Sequence, residues 1–548
     1  MKELNEKLNS SKTLKIILAI AIPLIVCLLS LKLYGIRYQT NDDATLSNIA
    51  AGAYGDTLHM VYVNVLFSLL LRPLYAIKFA NWYVIVQLVL VVVSIAVIIY
   101  ILMEEMGTIS GFLTGALLMV AFGGHIFYSF QYTECSAIML SAGLLLIVHN
   151  LGKFNKWTWL GIFFSLMGSL VRWQSFYLVG AMSSFMLIYK FFCTDKNGKK
   201  NAVLTMVALF AVVFGAKAVD TFAYTMDEGW NNFREYNSAR TRYSDFKVYQ
   251  LDMEVNAFAP LGVSDIDYDM LNTWNFYDPE HFTADYVKEM ADSVSGKGFI
   301  ESLKDTLRTF LDMLSGKTYD YMFWLAVIYS FAHMRKNKGL VSLFGVCAVC
   351  GLLFFVLIYK GRLPSWVQMS LIWTYAVFVF YSSAKTAPEF SRNIAVALMI
   401  FAFMGYLCAP YYGQLFADSE SYDEYEELEE HYFTDMNEDK EHLYLLSTQA
   451  ISHAAGYDVW NPREEGFFSN MVAFGGWLSN APHRNEALRN YGITRPIVDA
   501  VDNPNVYIDY HYIENTEKYA SQETGKNVIA VSVGGNAFAP YQLVTENN

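Results

Sequence analysis

Long apolar blocks separated by short polar loops dominate the sequence up to about residue 410. A helix needs about 20 apolar residues to cross the hydrocarbon core of a bilayer. Blocks of this length predict an α-helical polytopic membrane protein with about eleven transmembrane helices. The blocks lie near residues 14–36, 82–103, 108–130, 135–151, 157–174, 176–193, 202–222, 319–334, 339–359, 366–384 and 392–410.

One further apolar segment, residues 60–77, is interrupted by Asn64 and by Arg72–Pro73. If this segment does not cross, the basic loops share a side with the lysine-rich N-terminus, as the positive-inside rule requires. We therefore predict a juxtamembrane helix here, with the N-terminus inside and the C-terminus outside. In this topology residues 37–81 and 223–318 form the two largest outer loops.

The polar pattern changes after the last block. An acidic run from Asp418 to Asp439 lies within residues 411–440 and predicts a solvated helix or linker there. Over residues 441–548, stretches typical of strands alternate with short helical stretches, which predicts a small extracytoplasmic α/β domain. Together with a transmembrane domain over residues 1–410, the sequence predicts three parts.

Composition agrees with a lipid environment. Of the 548 residues, 54% are hydrophobic, and the formal net charge is −13. The apolar composition predicts the lipid bilayer of the plasma membrane as a partner. The acidic residues concentrate in the long polar segments, so we expect no nucleic-acid partner. The six cysteines lie in or beside apolar blocks, which gives no sign of a disulfide framework.

Two adjacent carboxylates, Asp42 and Asp43, follow the first apolar block. Carboxylates this close to hydrocarbon are costly unless they face water or a ligand. The surrounding residues would begin a helix well, so Asn41 or Asp42 could serve as an N-cap. A doublet leaves one Asp for another role, and we predict that one of the two is a catalytic base at the interface. The sequence does not rank them.

Glu134 brings a further carboxylate to the same predicted membrane face. On its own it would be an exposed turn residue or a helix cap. Together with the Asp doublet it could bind a divalent metal such as Mg²⁺ or Mn²⁺, or orient the base. His59 could add a ligand, although a lone histidine beginning an amphipathic helix is more often involved in packing. Metal dependence stays open at this point.

Cationic side chains gather at the predicted outer ends of the spans. Contact with lipid headgroups explains such residues in general, and it explains Lys360 better than Arg172, which has apolar sequence on both sides. A cluster of arginines and lysines facing carboxylates suits a lipid-linked phosphate. The candidate phosphate-binding residues are Arg172, Arg240, Arg242, Lys360 and Arg362.

This combination resembles the GT-C superfamily of integral-membrane glycosyltransferases, which use polyprenyl-phosphate-linked sugars. The shared features are the Asp doublet after the first span, the outer juxtamembrane helix, the acidic residue in the second outer turn and the extracytoplasmic C-terminal domain. The first-loop Asp of that family deprotonates the acceptor hydroxyl in an inverting transfer, and the resemblance implies this role for Asp42 or Asp43. Metal-dependent members carry more carboxylates in the second loop than Glu134 alone, which favours a polyprenyl-monophosphate donor.

Two functions follow from these observations. The first is an inverting glycosyltransferase that modifies a glycan or another cell-surface polymer. The second is a transporter or flippase for a lipid-linked glycan, which would usually show broken helices or polar residues at mid-membrane and often a two-fold internal repeat. Lys217 and Asp220 lie inside a predicted span, but their i, i+3 spacing is typical of an intrahelical pair. The charges otherwise cluster at one face, which favours the enzyme.

Overall fold

The computed structural model describes residues 9–246, 257–294, 297–316, 318–333, 340–384, 394–455, 458–534 and 540–546. Most of these residues are helical. The helices are α1 Lys12–Leu33, α2 Asn41–Ala51, α3 Val65–Ile77, α4 Trp82–Met106, α5 Thr108–Tyr128, α6 Tyr132–His149, α7 Lys156–Val171, α8 Trp173–Cys193, α9 Lys196–Thr225, α10 Glu228–Arg240, α11 Asp265–Asn272, α12 Ala284–Ser293, α13 Phe299–Asp312, α14 Thr318–His333, α15 Leu340–Tyr359, α16 Ser365–Ser383, α17 Ile394–Glu438, α18 Thr448–Ala455, α19 Pro482–Arg489 and α20 Ile513–Thr524. A π-helical turn, Thr241–Asp245, extends α10, and a short 3-10 turn covers Ala259–Leu261.

The described part of each predicted apolar block coincides with a helix. Among the described residues, six helices, α1, α4, α5, α6, α8 and α9, are long and apolar enough to cross a membrane. A chain with this many such helices is a multi-pass membrane protein. The count of about eleven spans and the orientation of the chain stay predictions.

The predicted juxtamembrane segment contains a helix of 13 residues, α3, which is too short to span a bilayer. Asn64, the polar residue inside the apolar segment, is its N-cap, and the side chain accepts a hydrogen bond from Leu66 N. Asp220 of α9 accepts from the backbone N–H of Val65 at 3.1 Å and pairs with Lys217 at 2.8 Å. The i, i+3 pair predicted inside α9 therefore also holds the start of α3.

Helices α6 and α7 pack closely because small residues line their interface. A Cβ atom on Gly143 would lie 2.7 Å from the carbonyl oxygen of Gly161, and one on Gly168 would lie 2.8 Å from that of Ser136. The Ser136 hydroxyl donates to the carbonyl oxygen of Gly168 at 2.7 Å. This contact fixes the start of α6 beside the end of α7, where Arg172 follows.

A short parallel pair of strands positions the Asp doublet. Strand β1, Arg37–Tyr38, pairs with β2, Ser129–Phe130, and Gln39 N continues the pairing by donating to Phe130 O at 2.9 Å. Strand β1 leads into α2, and β2 leads into α6. The first turns of these two helices, which carry the predicted acidic residues, are therefore neighbours.

The C-terminal residues form a five-stranded mixed sheet in the order β4-β3-β5-β7-β6. Strands β3, β4 and β5 are parallel to each other, and β7 is antiparallel to β5 and β6. All four residues of β3 are buried, as expected for a central parallel strand. The strands are β3 Leu443–Leu446, β4 Met471–Ala473, β5 Val506–Ile508, β6 Val528–Ser532 and β7 Tyr541–Thr545.

The segment predicted as the second large outer loop packs against this sheet. One hydrophobic cluster combines buried residues of segment 236–290 with buried residues of segment 443–543. Arg495 pairs with Asp278 of the loop at 2.7 Å, and the Tyr519 hydroxyl donates to the same carboxylate at 2.9 Å. The loop and the C-terminal residues thus share a core. The predicted linker, residues 411–440, belongs for most of its length to the long helix α17.

Candidate functional site

A cavity of about 650 Å³, here called the first cavity, lies between one end of the helical body and the C-terminal sheet. Its floor comes from the helical body and includes Asp42 of α2, Tyr132 of α6, Arg172 between α7 and α8, and Arg362 before α16. Its roof comes from the C-terminal sheet and its connections. The roof residues are Thr448, Gln449, Ile451, Gly475, Gly476, Trp477, Leu478, Arg484 and Tyr512.

The structure separates the two residues of the Asp doublet. Asp42 is half-buried and lines the first cavity, whereas Asp43 is 0% exposed and does not line it. Among the described residues, none donates a hydrogen bond to the Asp42 carboxylate, so its oxygens are open to the cavity. The N-cap of α2 is Thr40 rather than the predicted Asn41 or Asp42, so Asp42 is not engaged in capping.

Asp43 is engaged on both carboxylate oxygens. Oδ1 accepts from the backbone N–H of Tyr132 at 2.9 Å, and Oδ2 accepts from the Thr40 hydroxyl at 3.1 Å. The carboxylate therefore joins the first turn of α2 to the first turn of α6. Burial raises the pKa of Asp43 well above its ordinary value, and the nearby Asp42 and Glu134 carboxylates add to the rise. This geometry fits a positioning role better than an attack on a substrate.

The pKa of Asp42 is raised, and burial is the largest cause. Asp245 also raises this pKa, while three arginines that line the same cavity lower it. Those arginines are Arg172, Arg240 and Arg362. The three guanidinium groups favour the ionised carboxylate, and the net rise in pKa brings the proton affinity of Asp42 closer to that of an effective general base.

Asp245, which the sequence analysis did not single out, organises the arginines. It ends the π-helical turn, accepts from Arg240 Nη1 at 3.1 Å and pairs with Arg362 at 2.9 Å. Arg240 is 1% exposed and also contacts the Tyr62 hydroxyl at 3.3 Å. A buried guanidinium needs such a partner because an unpaired buried charge is strongly unfavourable.

Arg172 is held by aromatic side chains. Its Nη1 donates to the Tyr132 hydroxyl at 2.7 Å, and its guanidinium carbon lies 4.8 Å from the ring centroid of Tyr62. Within the described residues no carboxylate forms an ion pair with Arg172. Cation–π contacts place the group without neutralising it. Arg172 therefore keeps its positive charge available to an anionic ligand.

A second cavity of about 540 Å³ adjoins the first and is mainly basic. Four residues line both cavities and form a shared wall, namely Tyr62, Arg172, Asp245 and Arg362. The second cavity adds three more cations, namely Lys217, Arg234 and Arg242. Arg242 pairs with Asp292 on α12, and both side chains are about half exposed. This cavity is suited to a phosphate group.

Four residues predicted for the site lie elsewhere or at its edge. Glu134 is 2% exposed and pairs with His125 Nε2 at 2.9 Å, outside both cavities. His59 stacks on Trp230 with ring centroids 4.7 Å apart, which agrees with its reading as a packing residue. Lys360 is exposed and lines neither cavity, and Arg242 reaches only the second.

A metal remains a prediction for this protein. Over the described ranges, no group of three or more His, Cys, Asp and Glu side chains is arranged to hold a metal ion. The two carboxylates that line the first cavity, Asp42 and Asp245, face arginines. Charge in the first cavity is thus balanced by guanidinium groups within the chain.

The roof is joined to the cavity wall at Trp274. Gly476 N donates to the carbonyl oxygen of Trp274 at 2.8 Å, and a Cβ atom on Gly475 would lie 1.8 Å from that oxygen. Trp274 has φ 63°, an unusual conformation for a bulky residue, and its ring lies 5.3 Å from the guanidinium carbon of Arg240. Only glycine allows the roof to approach this closely.

No protein-family model matches the chain, and no curated protein matches it either. Two crystal structures of ArnT from Cupriavidus metallidurans are similar to it over nearly the full length of both chains. The structure bound to undecaprenyl phosphate is 10% identical, covers 97% of this chain and 98% of its own, and gives a TM-score of 0.38. The apo structure is 8% identical, covers 96% of this chain and 97% of its own, and gives a TM-score of 0.39.

TM-scores below 0.5 carry no residue role, substrate or activity over to this chain, so the function has to be inferred from its own cavities.

Proposed function

We propose that the protein is an inverting glycosyltransferase that moves a sugar from a polyprenyl-phosphate-linked donor to an acceptor hydroxyl, in the modification of a cell-surface glycan at the outer face of the plasma membrane. The supporting observation is that an open carboxylate, Asp42, and a basic second cavity meet at one shared wall of arginines. A base and a phosphate site next to each other are the two requirements of this reaction.

Asp42 is the proposed base. The acceptor hydroxyl gives its proton to the Asp42 carboxylate while its oxygen forms a bond to C1 of the sugar. The bond between C1 and the phosphate oxygen breaks at the same time, and its electron pair leaves with the polyprenyl phosphate. Attack from the first cavity on a donor whose phosphate lies in the second cavity comes from the opposite face of the sugar, which inverts the configuration at C1.

The shared wall is proposed to stabilise the leaving phosphate. Arg172 and Arg362 line both cavities, so their guanidinium groups can contact a phosphate on one side while they face Asp42 on the other. Negative charge grows on the departing oxygen, and positioned guanidinium groups lower its energy most in the transition state. Asp245 keeps Arg362 in place through the 2.9 Å ion pair.

Asp43 is proposed as a positioning residue. Its bonds to Tyr132 N and the Thr40 hydroxyl fix the first turn of α2 against α6. Asp42 is the preceding residue on that turn, so the network sets the direction in which the base faces. The role assigned to the doublet by the family resemblance thus falls on Asp42.

The test is sugar transfer by purified protein in lipid, from a set of polyprenyl-phosphate sugars to a cell-surface polymer preparation. Wild type, Asp42→Asn and Asp43→Asn are compared, each with and without a chelator of Mg²⁺ and Mn²⁺. We expect Asp42→Asn to lose transfer by about 10²-fold or more and to keep donor binding. A protein that consumes no donor but moves labelled lipid-linked sugar across liposomes would be a flippase, which contradicts the proposal.

A further inference from the structure

Arg484 of α19 is a buried cation in the roof of the first cavity, with 5% of its surface exposed. Its Nη1 donates to the carbonyl oxygens of Gly475 at 3.2 Å and Ala473 at 3.5 Å. Within the described part of the chain its Nε has no hydrogen-bond partner. The Nε atom therefore retains donor capacity that the described residues do not use, while the Tyr54 phenol lies close enough to favour the charged form.

No carboxylate of the described residues pairs with Arg484. The groups around it are neutral: the ring of Tyr54 lies 6.0 Å from its guanidinium carbon, and the phenol of Tyr277 is nearby. Burial lowers its pKa, which indicates how unfavourable this environment is for the charge. Arg240 is equally buried on the wall of the same cavity, but it pairs with Asp245.

The roof around Arg484 is built from the carboxyl ends of the three parallel strands. Gly475 follows β4, Thr448 follows β3, and Tyr512 comes after β5, and all three residues line the cavity. Helix α18 begins at Thr448, so its N-terminus, with its partial positive charge, faces the same space. Ligands of open α/β sheets bind at this edge, and here the edge carries a buried cation.

We propose that the acceptor of the sugar carries an anionic group, a carboxylate or a phosphate, that binds Arg484 in the roof while the acceptor hydroxyl faces Asp42 on the floor. This inference rests on the proposed function and adds the chemical class of the acceptor. Arg484 does not line the second cavity, so its anion is distinct from the donor phosphate. A space of about 650 Å³ accommodates a sugar unit with such a substituent.

The experiment uses full-length protein in lipid nanodiscs and three probes that differ in one group: glucose, glucuronate and glucose 6-phosphate. Binding is measured as the rise in Tm with probe concentration, since a ligand that binds the folded state stabilises it by mass action. Wild type is compared with Arg484→Gln and Arg484→Lys. Arg489→Gln is the matched control because Arg489 lies on the same helix and is exposed.

We expect wild type to bind both anionic sugars about tenfold more tightly than glucose, since a charged pair with a desolvated guanidinium is strong. Arg484→Gln removes this preference, and Arg489→Gln retains it. Arg234→Gln, which changes the second cavity, also retains it. In Arg484→Lys the affinity for the anionic sugars should fall about threefold, because an ammonium group cannot form the forked contact. This variant decides the question if Arg484→Gln does not fold.

Equal binding of the three sugars by wild type would overturn the inference, as would a preference that survives in both Arg484 variants. The transfer assay with Asp42→Asn separates this outcome from failure of the proposed function. If transfer depends on Asp42 but the anion preference does not depend on Arg484, the proposed function stands and the inference of an anionic acceptor is wrong. If the preference depends on Arg484 but the protein transfers no sugar, the roof binds anions and the proposed glycosyltransferase function is wrong.

Discussion

The two cavities share a wall but differ in their charge. The first cavity contains Asp42, and the cations on its floor and wall are balanced in part by Asp42 and Asp245. The second cavity contains Lys217, Arg234 and Arg242 in addition to the shared arginines, against the two carboxylates Asp220 and Asp245. The first cavity thus provides a proton acceptor, and the second provides an excess of positive charge.

This difference suggests how one active site can activate a hydroxyl and release a phosphate at once. A base surrounded only by carboxylates would be protonated, and a phosphate site facing an unshielded carboxylate would repel its ligand. Arginines between the two cavities lower the pKa of Asp42 and can contact the phosphate. The comparison predicts that changes in the first cavity act on the chemical step and changes in the second act on donor binding.

The largest effect is expected at Asp42. Asp42→Asn removes the proton acceptor with little change in shape, so kcat for sugar transfer should fall by about 10²- to 10⁴-fold. The affinity for polyprenyl phosphate should stay within about twofold, because Asp42 does not line the second cavity. Single-turnover kinetics and equilibrium binding measure the two quantities separately.

Asp43→Asn is the internal comparison for this prediction. Its buried carboxylate bonds to Tyr132 N and the Thr40 hydroxyl, so the substitution should lower Tm as well as activity. A loss of kcat in Asp43→Asn that equals or exceeds the loss in Asp42→Asn, at unchanged Tm, would exchange the roles of the two residues.

The next effect concerns the roof. Gly475→Ala would place a Cβ atom against the Trp274 carbonyl oxygen and should destabilise the protein by about 1–3 kcal/mol. Gly215→Ala is the control, because a Cβ atom at that helical position meets no neighbour within 4 Å. Chemical denaturation in detergent measures both. Equal stability of the two variants would show that the roof does not require the close approach at Trp274.

Much of the cavity floor was predictable from the sequence because local patterns mark it. The apolar blocks predicted the helices. Asp42, Arg172 and Arg362 were singled out because they are charged residues next to the ends of these blocks, and all three line the first cavity. Lys360, two residues from Arg362, lines neither cavity. Gly361 lies between them with φ 67°, so the chain turns there and the two side chains end in different environments.

The roof, together with Asp245 and Trp274 of the wall, was not predictable by these rules. Asp245, Trp274 and Arg484 lie in polar segments far apart in sequence, and no periodicity links them. They meet because the loop and the C-terminal residues share one hydrophobic core. In the structure Arg484 follows β4 and the Gly475–Gly476 pair, but its burial without a carboxylate partner among the described residues is visible only in the fold.

Arg362→Gln tests the shared wall. Arg362 lowers the pKa of Asp42, so its loss should raise that pKa further. Because Asp42 must be ionised to accept a proton, the acid limb of the pH–rate profile should move to higher pH, and activity at neutral pH should fall about tenfold. Lys360→Gln, a change of equal charge two residues away, should leave the profile unchanged. A shift in the opposite direction would contradict the assignment of Asp42 as the base.

The smallest effect is expected in the second cavity. Arg234 is half-buried, its guanidinium carbon lies 5.1 Å from the ring of Tyr224, and no carboxylate of the described residues pairs with it. Arg234→Gln should raise KM for the donor about fivefold and leave kcat within about twofold, because it removes one contact made equally in the bound and transition states. The increase should shrink at high salt, since exposed charges are screened. Arg489→Gln, an exposed arginine outside both cavities, serves as the control. A fall in kcat at constant KM would instead show that Arg234 acts in the chemical step. The two cavities would then not have the separate roles proposed for them.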